Sequence, residues 1–508
     1  MTGHGHDVRP VRWRPCQRWH TRSQTIRPSK GATMPRPRLA LLLLAALAFG
    51  AHALAQTTQL TMWVRTPETV DLLGTSIERF HEANPDVRVR IVTFAADAYP
   101  GALQAAISGG DLPDMFQVHN SVPVPRLVSL GLIQSLEPHF SEGFRDRFDP
   151  ATWWEGSTTV GGEIYAWPDR SFRRASLFLY YNRDVMRAAG LDPDAPPVTW
   201  DAFVDQANTV TEAGNGRVYG LHLGFTSGWF NERVILQLAT TAADAHGVPA
   251  EHLPGRMVNW TTGELFDPSG IQEAIGFFAE LMSSDAVHPD FLNTGRSQAT
   301  AQWAAGQAAF LFDGSWRLQE LLRTEPDLDF GIAMLPSRDG GPVLWGVEGG
   351  SQNAFAVATR SPNAAAAARL FEWLSDDYYP LLIEGAVDLT PIPELNARDE
   401  LYTSDAFREL VRLTELGTVV LPSPVMENAD QLETVVRLAG KTASRPFGES
   451  MQGFLADGAF DVSGFLASYG GQQNAFLAEA LAEASADGAG VDESDWVFPG
   501  WEPTVNHY

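Results

Sequence analysis

The sequence predicts an α/β protein of two lobes, each a mainly parallel sheet flanked by helices. Three observations carry that expectation. From Leu60 onward, strand-like and helix-like stretches alternate without hairpin turns. A second alternating series begins at Ser176. And 508 residues with 44% hydrophobic positions exceed what one ordinary domain holds.

Leu60–Val64 alternates as LTMWV and reads as a strand; Val70 to Asn84 reads as a helix, stopped by Asn84-Pro85. A strand at Val87–Phe94, a helix from Tyr99 to Ser108, a Gly109-Gly110 stop and a strand at Asp114–His119 follow. Strands joined in this way pair in parallel through helical crossovers. The second series holds the LFLYYN strand, a helix at Trp200–Thr211, a strand at Val218–Phe225, and helices near Asn231–Thr240 and Ile271–Ser283. It ends with a strand at Ala308–Phe312, a helix at Ser315–Leu322 and a strand at Phe330–Leu335. Ser361-Pro362 opens a helix ending near Leu374, with Ser as N-cap and Pro at its first position. The C-terminal third reads as mostly helical, with Gln472–Ala486 its clearest amphipathic stretch. The tail after Gly488, with Trp496, Phe498 and Trp501, fits no element.

The formal charge is -26. The first 55 residues are basic, with nine Lys+Arg against one acid, so residues 56–508 carry -34. A surface this acidic repels polyanions, which excludes nucleic acid as a partner. Cys16 is the only cysteine, so neither a disulfide framework, a thiolate zinc site nor a catalytic thiol fits the body of the chain. From Met34, Arg36 and Arg38 precede the apolar run Leu39–Phe49 and the A-x-A site Ala53-Leu54-Ala55, the pattern of a secretory signal peptide. The run is shorter than the roughly 20 residues of a spanning helix. Residues 1–33 are therefore expected to be an upstream misreading, with a genuine extended leader as the alternative. Residues 34–55 are the signal, and a soluble product without a lipid anchor begins near Gln56.

Motifs for catalysis are incomplete. Ala439-Gly440-Lys441-Thr442 resembles the end of a P-loop, but Val435 stands at the first glycine position. Gly214, Gly216 and Gly220 miss dinucleotide spacing by one residue, and Gly448-Glu449-Ser450-Met451 lacks the closing glycine of a nucleophile elbow. His81-Glu82 lacks the second histidine of a zinc protease, and Asp192-Pro193-Asp194 the remaining ligands of a calcium loop. Tyr180-Tyr181 reads as a strand packed on both faces rather than a metal site. No metal or cofactor is expected, and a secreted glycosidase using paired carboxylates is the alternative from another class.

The LFLYYN strand with its following helix, Pro-rich bend and Thr199-Trp200 helix entry resembles the extracellular solute-binding proteins of ABC importers, the maltose-binding-like sugar binders above all. SGGDLPDMFQV at 108–118, GQAAFLFDGSW at 306–316, FGIAMLPS at 330–337 and EGGSQNAFAVATRSPNAAAAARLFEWLS at 348–375 extend the resemblance across Leu60 to Ala486. It implies a two-lobed periplasmic-binding-protein fold of type II with a hinge between the lobes. Residues 56–172 plus 336–390 would form one lobe, and 173–335 plus 391–508 the other. Crossings are expected near Phe172–Ser176, near Ala333–Ser337 and after Leu389. It further implies a periplasmic monomer that captures a small carbohydrate, delivers it to a membrane permease with its ATPase, and catalyses nothing.

Sugars are held by planar polar groups on their hydroxyls and aromatic rings on their C–H faces, and open α/β sheets place such groups at strand carboxyl ends. Those positions nominate Trp63 and Arg65 after the first strand, His119 and Asn120 after the third, and Arg173 and Arg174 before the LFLYYN strand. They also nominate Trp229, Trp316, and Trp345, Glu348 and Gly349 near the second crossing. Trp154, Trp167, Trp200 and Trp373 are assigned to packing; Arg174 has local charge neutralisation as its alternative role, and Asp313 helix capping. The favoured ligand is a neutral mono- or oligosaccharide. A phosphorylated polyol such as glycerol phosphate, clamped by Arg173 and Arg174, is the rival.

Mass spectrometry of the secreted protein should find a mature chain starting near Gln56; a terminus upstream of Met34 would refute the leader assignment.

Overall fold

The computed structural model describes residues 57–507 apart from 66, 96–97, 120, 175–176, 244, 251–252, 254, 351–352 and 457–459. The leader and Asn120 lie outside the described residues.

The first lobe is built on β1 (Thr58–Val64), β2 (Val87–Thr93), β3 (Met115–Gln117), β4 (Ala166–Pro168) and, returning much later, a strand at Ala354–Val357. In the sheet the order is β2, β1, β3, Ala354–Val357, β4. β1 runs parallel to β2 and β3, whereas Ala354–Val357 runs antiparallel to β3 and β4. Helices α1 (Pro67–Ala83) and α2 (Tyr99–Gly109) connect the first three strands. Gly110, at φ +68°, ends α2 in the left-handed conformation that glycine adopts without a Cβ penalty.

The second lobe is built on β5 (Leu177–Asn182), β6 (Tyr219–His222), β7 (Ala308–Gly314) and β8 (Phe330–Ala333), in the order β8, β5, β7, β6. Only β6 and β7 are parallel; β5 is antiparallel to both its neighbours. Both sheets are therefore mixed rather than mainly parallel. The strands that reverse direction, β5 and Ala354–Val357, are those the chain enters on arriving from the other lobe, and no helical crossover dictates their sense. Tyr180 and Tyr181 are both buried, and Tyr180 donates its hydroxyl proton to the Gly314 carbonyl at 2.9 Å, so both strand faces pack. Helices α3 (Trp200–Gly214), α4 (Gly228–Ala239) and α5 (Ile271–Ser283) cover this sheet, and the Thr199 hydroxyl caps α3 by accepting from Ala202 N.

The crossings meet in a buried polar knot. Asp169 N donates to the Asn353 carbonyl (2.8 Å) and Ser171 N to the Leu389 carbonyl (2.9 Å). Arg170, 1% exposed, lies 3.2 Å from Asp169 and 3.5 Å from Asp388; Arg174 reaches Asp388 at 2.9 Å. The second passage is not at Ala333–Ser337. Ser337 exchanges backbone hydrogen bonds with Val198 and Trp200, and the Trp200 indole donates to the Pro336 carbonyl, so this segment stays on the second lobe. The passage instead follows β9 (Trp345–Val347) and precedes β10 (Ala354–Val357).

The helix expected at Ser361–Leu374 spans Ala364–Glu384. Ser361 does not cap it: its hydroxyl donates to Asp114 Oδ1 at 2.6 Å and ties the turn to the first sheet. The helix outlasts its local signals because Tyr378, Tyr379, Leu382 and Ile383 are all fully buried, which outweighs the interruption at Pro380. In the C-terminal third, 472–486 buries Gln473, Leu477, Ala480 and Ala484 along one face of a helix that spans Val462–Ala486, and the helix at Asp405–Gly417 likewise buries Phe407, Leu410, Leu413 and Thr414.

The tail after Gly488 is structural. Trp496 is fully buried and stacks on Trp260 with rings 6.2 Å apart and 4° from parallel. Its indole donates to Gln431 Oε1 (3.1 Å), and Gln431 Nε2 donates back to the Asp495 carboxylate (2.7 Å). Further on, Asn506 Oδ1 accepts from Val420 N (2.8 Å) and His507 N donates to the Val420 carbonyl (2.9 Å). Val420 belongs to β11 (Thr418–Val420), which pairs in parallel with β9.

Truncating a fully buried tryptophan removes its transfer free energy and leaves a cavity, so Trp496→Ala should cost about 3–5 kcal/mol of stability. Urea unfolding of the variant checks this; an unchanged midpoint would mean that the tail packs without supporting the fold.

Candidate functional site

Aromatic side chains from three separate segments converge in the second lobe. Trp229 opens α4 and is 44% exposed. Trp316 follows β7 and lies 5.7 Å from Trp229, ring centre to ring centre. Trp345 comes from β9 and is buried. Arg233 stands four residues after Trp229 on the same helix face, and its guanidinium lies 4.4 Å from the Trp229 ring and 4.5 Å from Trp345. The spacing of α4 therefore sets a cation between two indoles. Beside it, Glu232, Leu236, Pro249, Ala250, Gly255 and Arg256 close a pocket with about 10 Å³ of room, near the space one water needs.

Asp313 organises the other side of the cluster. It is 1% exposed and accepts from Gly314 N (2.8 Å), the Trp316 indole (3.1 Å) and Arg317 Nε (2.7 Å). It holds the Trp316 ring flat over Gly314, where a Cβ would come within 2.1 Å of the indole. Trp316 is thus half-buried and oriented by its N–H rather than standing free. Arg296 completes the group, its guanidinium 5.4 Å from Trp229, 5.4 Å from Phe230 and 5.2 Å from Trp316.

A second set of candidates gathers at the carboxyl ends of β1 and β3. Trp63 packs on Phe94 at 4.6 Å, in a chain of rings continuing through Tyr99 to His119. Arg65 donates to Asn353 Oδ1 (3.0 Å), and its backbone N–H to Gln117 Oε1 (2.6 Å). Gln117 in turn donates to Asp169 at 3.0 Å, so Arg65 is wired into the knot between the lobes. Burial, with help from Arg65, lowers the His119 pKa to about 4, so this imidazole is neutral at physiological pH. Burial pushes Asp169 upward, opposed chiefly by Arg170.

The remaining candidates are drawn into structure. Arg173 lies 3.5 Å from Asp149 and over the Phe172 ring at 5.0 Å; Arg174 is paired with Asp388. Gly349 is a packing glycine, since a Cβ there would come within 2.2 Å of the Ala151 carbonyl and the Trp154 ring. Glu348 beside it is half-buried. Trp154, Trp167 and Trp200 are buried, and Trp373, partly buried, donates its indole N–H to the Ser76 carbonyl. Sequence reasoning missed Arg233, Arg296 and Glu232. The helical spacing from Trp229 could have flagged Arg233; nothing local ties Arg296 to tryptophans 67 residues before and 20 after it.

Among the described residues no cluster of His, Cys, Asp and Glu could hold a metal ion, and no helix is long and apolar enough to cross a membrane. Residues 67–377 match the family model of bacterial extracellular solute-binding proteins. The sn-glycerol-3-phosphate-binding periplasmic protein UgpB of Salmonella typhimurium is 26% identical over 375 residues, 69% of this chain and 80% of that protein. Among solved structures, the sugar-binding protein MalE of Xanthomonas citri superposes with a TM-score of 0.59 at 18% identity, covering 85% of this chain and 100% of that one. A solute-binding protein of Thermotoga lettingae bound to α-D-tagatose gives 0.60 at 19% identity, covering 83% and 100%. At these identities the structures share the fold.

Glu232 supplies a pH test. Burial raises its pKa from 4.5 to about 7, so the folded state favours the protonated carboxyl. Its stabilising contribution is complete below 4.5 and is lost as pH rises through about 7. Glu232→Gln keeps the neutral form at every pH. The melting temperature of the parent should fall relative to this variant between about pH 5 and about pH 8; parallel curves would show an ordinary carboxylate.

Proposed function

Because the chain belongs to the bacterial extracellular solute-binding proteins, we propose that it captures a sugar between its two lobes and delivers it to an ABC permease. The observation that carries this reading is the convergence of Trp229, Trp316 and Trp345 from three segments onto one site. Indole faces match the C–H face of a sugar ring, and the arginines and carboxylates around them match its hydroxyls. Capture is by hinge closure: ligand touching both lobes stabilises the closed state by its differential affinity, and the lobes rotate about the crossings. The protein works in the periplasm as a monomer, turns nothing over, and presents its closed form to the permease and its ATPase.

The rival phosphate clamp at Arg173 and Arg174 is disfavoured by their carboxylate neighbours, Asp149 and Asp388, which already balance both charges.

Calorimetry against a sugar panel tests the reading. Trp229 is 44% exposed, so Trp229→Ala should weaken binding by about 2 kcal/mol, roughly thirtyfold, with little change in melting temperature. Small-angle scattering should show compaction on binding. A panel without a binder, or a Trp229→Ala variant that binds as the parent does, would overturn sugar stacking at this site.

A further inference from the structure

The carboxylate of Glu449 stands at the open end of the aromatic cluster. Glu449 belongs to the helix at Phe447–Ala456 and is exposed. That helix meets α4 glycine to glycine. A Cβ on Gly448 would collide with the Gly228 carbonyl, and a Cβ on Gly228 would lie 2.9 Å from both Cδ and Oε1 of Glu449. Asn231, buried on α4, holds the contact by donating to the carbonyls of Phe225 (3.1 Å) and Gly448 (3.4 Å). A larger residue at either glycine would push the two helices apart. The contact thus sets a carboxylate against the residue that precedes Trp229, the one exposed tryptophan among the described residues.

The unmatched group at this end is an acceptor. Among the described residues, no hydrogen bond or ion pair engages the Glu449 carboxylate. The cations of the cluster are already engaged. Arg317 pairs with Asp313 and Glu320, Arg296 lies 3.9 Å from Asp313, and Arg233, set between two indoles, has a further partner. Glu449 also acts on the site itself. After burial, its charge helps to raise the Glu232 pKa, and Glu232 closes the pocket beside Trp229 and Trp345.

A carboxylate offers two oxygens and accepts from two donors at once. A sugar ring stacked by its C–H face presents adjacent hydroxyls at its rim. Building on the sugar reading above, we propose that Glu449 determines specificity at this site, accepting hydrogen bonds from two adjacent hydroxyls of a neutral sugar that lies on Trp229. The same fixed charge opposes an acid group at that edge of the ring, so neutral sugars are preferred to their uronates. Glu449 also lies at the first turn of α4, where Ser227 makes no side-chain cap and negative charge is favourable. Capping stabilises the folded chain whether or not sugar is present, so the two roles have separate readouts.

Calorimetry on the full secreted chain should first find the tightest binder among glucose, galactose, mannose and their common disaccharides. That binder is then compared with its monodeoxy analogues and its uronate counterpart. Deleting either of two neighbouring hydroxyls should weaken binding to the parent by about tenfold or more, as for a hydrogen bond to a charged acceptor. In Glu449→Gln the binder itself should weaken by about tenfold. The two deoxy losses should shrink to about threefold or less, because the amide has one accepting oxygen and no charge. The parent should prefer the neutral sugar to its uronate by about tenfold or more, and the variant should prefer it less. Circular-dichroism melts confirm that the variant is folded. Equal deoxy losses in parent and variant, or a uronate that binds the parent as tightly as the neutral sugar, would overturn this inference and leave sugar capture standing. So would a lowered melting temperature with unchanged affinities, the mark of a helix cap alone. A panel with no binder would overturn both.

Discussion

Two mixed sheets in one chain must be joined without freezing their relative motion, and a buried ion network at their junction meets that constraint. Asp169 and Arg170, on the first crossing, and Asp388, near the start of the chain's last return, are mutually paired, with Gln117 and Arg174 extending the network into each lobe. Removing one member of such a network strands the others in low dielectric, typically at about 3–5 kcal/mol, so its geometry is strongly enforced. The backbone bonds from Asp169 to Asn353 and from Ser171 to Leu389 lock the crossing strands in register at the same point. A fixed pivot of this kind lets rotation be taken up by a few torsions on either side.

The aromatic cluster inherits its precision from elements far away in sequence. Trp345 sits on β9, β9 pairs with β11, and β11 is held from its other side by Asn506 and His507 at the end of the tail. The tail is anchored in turn by Trp496 between Trp260 and Gln431. Residues that look like a polar appendage therefore fix one wall of the site. On the opposite wall Asp313, buried at the end of β7, sets the plane of the Trp316 ring through its indole N–H. Trp316 and Trp496 are each fixed through the single polar atom of the indole, donated to Asp313 and to Gln431.

A strongly negative surface keeps the protein dispersed and repels polyanions. The arginines of the aromatic cluster are instead set among carboxylates: Arg317 pairs with Asp313 and Glu320, and Arg296 lies 3.9 Å from Asp313.

Much of the architecture was legible from local patterns: the strand starting at Leu60, the Gly109-Gly110 stop, the Thr199 cap and the helix at 271–283 all recur in the fold. These depend on periodicity and capping, which neighbouring residues determine. Of the aromatic cluster, Trp229, Trp316 and Trp345 were among the positions that the sequence nominated near element ends, and the fold brings them together. Strand direction after each crossing, the extension of the helix from Leu374 to Glu384 and the burial of Trp496 were not, because burial against distant residues overrode weak or contrary local signals. Arg296 shows the boundary most clearly. Its sequence neighbours say only that a helix begins; whether its guanidinium finds a partner depends on Trp229, Phe230, Asp313 and Trp316, which come together only in the folded chain.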